Sequence, residues 1–135
     1  MDSKRLIEEA TSVIRVRKNG DYTIGDVGCA LVTDRGNMYL GVCIDTISSM
    51  GFCAEHNAIG SMITGGESCI KKIVAVSKSR RRGEGTFVLT PCGRCREFIY
   101  QIDNGNIETE IILAPDKSVL LKELLPYNNT WTKIG

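Results

Sequence analysis

Apolar side chains recur at steps of three and four near the start of the chain, where Leu6, Ile7, Ala10, Val13 and Ile14 share one stripe. Lys4, Glu8, Glu9 and Arg15 fall mostly off that stripe. This spacing predicts an amphipathic helix lying on the core, opened by Asp2 or Ser3 and ended by Asn19-Gly20. The pattern then tightens into short apolar runs. Val27 to Val32 and Met38 to Ile44 read as strands joined by a turn at Asp34-Arg35-Gly36-Asn37. A helix follows from about Cys53 to Ile63, closed by Gly65-Gly66. Ile73 to Val76, Thr86 to Leu89 and Glu110 to Leu113 give three further strands. Pro91 opens a helix that continues to Asn104-Gly105, and Ser118 to Leu125 forms a last short helix before Pro126. Helices mixed among five short strands predict a layered α/β sheet. No internal repeat interrupts it.

Composition narrows the setting. The chain has 135 residues, 42% hydrophobic and 24% charged, which suits a single domain over 1–135 and argues against disorder. No apolar run approaches a membrane span, and acids and hydroxyls stand where a secretory signal needs an apolar stretch. The expectation is a cytoplasmic protein with no membrane partner. A formal charge of +1 also argues against a binder of nucleic-acid polymers. Reduced surroundings make a disulfide framework the less favoured reading of the six cysteines.

Two of those cysteines, in Pro91-Cys92-Gly93-Arg94-Cys95, stand three positions apart at a predicted helix start. The helix N-terminus favours thiolates, so the pair suits a zinc ion, although a redox dithiol shares the spacing. Cys53 opens the other helix that follows a strand and a loop, and successive helix starts gather along one sheet edge. Cys53, Cys92 and Cys95 are therefore the candidate ligands of one zinc ion. Three protein ligands leave a fourth position open for water, as catalytic zinc sites do. Glu55, two residues beyond Cys53, is placed to shuttle protons as general acid and base.

Cys53-Ala54-Glu55 with Pro91-Cys92-Gly93-Arg94-Cys95 resembles the signature of the zinc-dependent cytidine deaminases, in their small all-cysteine branch. Val27-Gly28-Cys29-Ala30-Leu31 is similar to that family's V-G-A-A-L strand, and Glu123-Leu124-Leu125-Pro126 to its E-L-L-P. The resemblance implies a three-layer α/β/α fold around a mixed five-stranded sheet. It also implies one zinc per subunit, release of ammonia from C4 of a free cytosine nucleoside, and a homotetramer. By the same match, Ala54 and the positions of Cys43 and Asp45 contact substrate. Here the family's strand motif N-x-E reads Cys43-Ile44-Asp45, and Gly25 replaces an aromatic residue. The run Pro91 to Arg96, with Trp131 following the E-L-L-P, resembles the blasticidin S deaminases, although Asn129 stands where those carry tyrosine.

Arg94 or Arg96 would offset the charge of the thiolates. His56 replaces the arginine that commonly follows C-A-E, and either approaches the sulfurs or packs as an ordinary side chain. Trp131, in a polar tail, would close over a pyrimidine or meet a neighbouring subunit. Cys29, Cys43 and Cys69 read as small buried hydrophobes. The basic cluster Lys78 to Arg82 reads first as a solvated loop, with a nucleotide phosphate as its alternative ligand. A non-catalytic zinc module, closed by a fourth cysteine, is the competing function.

Overall fold

A computed structural model describes residues 1–78 and 83–135. The first helix, α1, runs Ser3–Ser12, and its N-cap Asp2 accepts the Arg5 amide at 2.8 Å. It ends well before Asn19, because Arg17–Asn19 forms a strand, β1, that pairs with Tyr22–Ile24 at the start of β2 (Tyr22–Thr33). Asn19-Gly20 is thus the turn of a hairpin, where Gly20 takes φ +61°, rather than the end of a helix. β3 is Met38–Ile44, α2 Ala54–Thr64, β4 Ile70–Ser77 and β5 Phe87–Leu89. α3 spans Gly93–Ile102 and is followed by a 3₁₀ turn at Asn104–Glu108. β6 (Glu110–Ala114), β7 (Lys117–Leu120) and α4 (Leu121–Leu124) complete the described elements.

β2 is the sheet's spine, antiparallel to β3 on one side and to β4 on the other. The opposite edge of β4 is shared: β5 pairs antiparallel with Ala75–Ser77, and β6 pairs parallel with Lys72 and Ile73. The sheet is therefore mixed, with the hairpin strands β1 and β7 extending it from the predicted five strands to seven. Part of the predicted last helix, Ser118 to Leu120, pairs with β6 as β7, because Glu110–Ala114 offers it a free edge.

Helices cover both faces. Cys29 and Leu31 pack with Ala58, Ile59, Met62 and Ile99 on the face of α2 and α3. Ala30 and Val32 point the other way, to Leu6 and Ala10 of α1 and to Val74 and Val76. Burial on both faces explains why β2 reads as a continuous apolar run rather than an alternating one. Glycine sets how closely the layers approach. A side chain at Gly41 would meet the backbone of Ala54 and Ala58, so its absence lets α2 lie directly on β3. Gly28 does the same for α1, against the Ala10 carbonyl.

Candidate active site

Two helix N-termini converge at one end of the sheet. The loop after β3 is pinched by an isolated bridge in which Ile44 and Phe52 exchange backbone hydrogen bonds of 3.0 and 2.9 Å. That bridge returns the chain to the end of β3 and delivers Cys53 as the N-cap of α2. Cys92 is the N-cap of α3, with Pro91 just outside the helix rather than in its first turn. The Cys53 side chain makes no capping hydrogen bond to its helix, whereas the Cys92 sulfur faces the backbone of Arg94 and Cys95 and the Cys95 thiol at the start of α3. Helix N-termini place positive dipole ends beside these sulfurs.

Cys53, His56 and Cys95 bring their donor atoms within 4.8 Å of one another. Cys92 joins them, its Sγ 3.7 Å from that of Cys95, while His56 Nδ1 lies 3.5 Å from Cys95 Sγ. The imidazole is held flat on Phe98, with ring centroids 4.3 Å apart and planes 5° from parallel. His56 thus brings a nitrogen to the sulfurs, the first of the two roles its position suggested. Arg96 does not: its Nε donates to the Pro91 carbonyl at 2.8 Å and its Nη1 to that of Leu124 at 3.1 Å. Arg94 is exposed at the cavity rim.

The electrostatics ask for a cation. Burial, then the charges of Glu55, Cys53 and Cys92, push the Cys95 thiol far above its ordinary range. Cys53 is raised too, first by burial. Burial opposes ionisation of Cys92 as well, but backbone bonds at Cys95 and Arg94 and the neighbouring thiols outweigh it and hold Cys92 below its usual value. Burial, then Arg94, lowers His56 and keeps its ring neutral and its lone pair available. Soft sulfurs and one imidazole, crowded and short of positive charge, form a donor set that fits zinc.

Beside this cluster a cavity of about 900 Å³ opens, within the range of small-molecule sites. Glu55, only 7% exposed, lines it together with Cys53, Ala54 and Cys92. Burial lifts its carboxyl above the usual range, partly offset by its own backbone and by Cys95. Cys43 and Asp45 also line it. Cys43 is not simply a core hydrophobe, since its Sγ donates to Asp26 Oδ1 at 3.0 Å. Burial and that bond push its thiol up to about 11. Cys69 likewise donates to Asp103 Oδ2 at 3.0 Å, and Cys29 is buried. These partners account for Cys43 and Cys69, so the fourth cysteine that a closed, non-catalytic zinc module would need is not among them, and His56 is the further donor beside the cluster.

Trp131 stands away from the cavity, 89% exposed, its Nε1 donating to Asn129 Oδ1 at 2.9 Å. In the basic cluster Lys78 to Arg82, residues 79–82 lie outside the described residues. Asp26 was not anticipated. Its adjacency to Cys43 depends on strand register, which spacing along the chain does not encode.

Residues 2–110 match the family model described as the cytidine and deoxycytidylate deaminase zinc-binding region. The chain belongs to that family and is a zinc-binding member of it. It is 38% identical over 97 residues to the blasticidin-S deaminase of Bacillus cereus, covering 70% of this chain and 68% of that protein. It is 29% identical to cytidine deaminase 6 of Arabidopsis thaliana over 93% of this chain, yet spans only 42% of that relative's length. The crystal structure of cytidine deaminase from Mycobacterium tuberculosis superposes with a TM-score of 0.77 at 25% identity, covering 97% of this chain and 99% of that one.

Proposed function

We propose that this chain is one hydrolytic deaminase unit that converts a free cytosine nucleoside, or a close analogue such as blasticidin S, to its uracil form with release of ammonia. The observation that carries the reading is a carboxyl group, Glu55, buried in a cavity wall beside the clustered thiols. Cys53, Cys92 and Cys95 would hold a zinc ion, whose Lewis acidity would make water nucleophilic at neutral pH. Glu55 takes one proton from the attacking water and gives it to the pyrimidine N3, where it stays. It then moves the second proton from the new C4 hydroxyl to the amine, so that the C4–N bond breaks, ammonia leaves and the C4 carbonyl forms. Its burial suits both halves of that task, because a carboxyl raised above its usual range holds a proton longer before releasing it. Arg94 offsets the negative charge of the thiolates from the rim. We place the enzyme in the cytoplasm, in pyrimidine salvage or detoxification, and as a homotetramer whose contacts cover the exposed Tyr127, Trp131 and Ile134.

The test is ammonia release by the zinc-loaded protein from cytidine, deoxycytidine, cytidine monophosphate, cytosine and blasticidin S, with Glu55→Gln as control. The expected outcome is turnover of a nucleoside, with a loss of at least about a thousandfold in Glu55→Gln and zinc content unchanged. His56 favours a second reading, because its nitrogen 3.5 Å from Cys95 would complete a closed structural site. In that case no member of the panel turns over, and His56→Ala sheds the metal.

A further inference from the structure

Besides Glu55, the cavity lining carries three acidic side chains, Asp21, Asp26 and Asp45, and one basic one among the described residues. The single lining arginine, Arg94, stands at the thiol end. Asp26 reaches the wall through an irregularity in β2. Ile24 pairs with Ile44 and Gly28 with Val42, so four steps along β2 match two along β3. Gly25 takes φ +81° within this bulge, and its missing side chain gives room to the Arg15 carbonyl. A bulge of this kind re-aims a side chain beside an active site.

The result is a compact group in which Asp26, Cys43 and Asp45 bring donor and acceptor atoms within 4.8 Å of one another. The Cys43 thiol spends its one proton on Asp26 Oδ1. The carboxyl oxygens of Asp26 and Asp45 retain acceptor positions. No ion pair reaches Asp26 or Asp45 among the described residues. A ligand facing this wall must therefore bring the protons, and a positive charge with them satisfies it best. A phosphate brings negative charge instead.

Resting on the deaminase reading above, we propose that Asp26 is a specificity-determining residue, which with Asp45 selects cytosine nucleosides bearing a cationic amine on the glycone and rejects phosphorylated ones. The base lies toward Glu55, and the glycone lies across the cavity against the Asp26 wall.

The experiment compares kcat/KM for cytidine, cytidine monophosphate and cytidines carrying an amine at the 2′, 3′ or 5′ carbon, in the native enzyme and in Asp26→Asn and Asp26→Ser. The expected result is a preference of about tenfold or more for at least one aminodeoxycytidine over cytidine, carried mainly by KM. Both variants should bring that ratio to within about twofold by raising the KM for the amine, as removing one charge-assisted bond requires. Equal treatment of every amine and cytidine by the native enzyme overturns the proposal. So does a preference that survives both variants. Titration with the corresponding aminodeoxyuridines and uridine reads the same selectivity without turnover. If no cytosine nucleoside is deaminated, the deaminase reading fails alone, and the titration still decides the role of Asp26.

Discussion

At the scale of single residues, chemistry written at short spacing was readable and chemistry assembled across strands was not. The pairs Cys53 with Glu55 and Cys92 with Cys95 could be read from short spacing at two helix starts, and their meeting was expected only from the way helix starts gather along a sheet edge. Asp26 with Cys43, seventeen positions apart, meets only through the β2–β3 register and its bulge. Asn106 was equally silent in the sequence. It is 1% exposed, accepts the Ile70 amide at 2.8 Å, and donates to the carbonyls of Ser68 and Ile99 at 2.9 and 3.0 Å. One side chain thereby ties α3 to the start of β4. Asn106→Ala strands these backbone groups in the core and should cost about 3 kcal/mol, measured by urea unfolding. Glu55→Gln, by contrast, should leave stability nearly intact while removing activity.

At the scale of elements, both helices that open at the site were legible from their apolar spacing and their glycine or proline punctuation. The short strands β1 and β7 were not. Arg17-Lys18-Asn19 and Lys117 to Leu120 have little strand character of their own and take it from the edges they find. What the elements do for the site is set by close approach. Gly41→Ala should push α2 off β3, cost about 2–3 kcal/mol and weaken zinc binding, because Cys53 caps the displaced helix. Gly28→Ala should cost a similar amount yet leave zinc affinity unchanged, since α1 carries no donor. Denaturant melts paired with a competitive chelator titration separate the two outcomes.

At the scale of the whole molecule, the layered arrangement followed from the alternation of helical and strand patterns, and the structure supplied how the ends of the sheet are secured. Beyond α3, Asp103 collects the Cys69 thiol at 3.0 Å, the Ser68 hydroxyl at 2.8 Å and the Gly105 amide at 2.9 Å. These bonds hold its carboxyl below the usual range. Its contribution to stability is therefore fully present above about pH 4, the unfolded value, and lost as pH falls through the lower folded value. Asp103→Asn should flatten the acid limb of the stability profile below that point, which urea melts in steps from pH 5 to pH 2 would show. The tail beyond α4 supplies a different kind of handle. Trp131 is the chain's only indole, and in the monomer it is bathed in solvent with its ring nitrogen on Asn129. Its fluorescence therefore starts from the red-shifted emission of a hydrated ring. Any blue shift then reports, without a label, that something has come to lie over the tail.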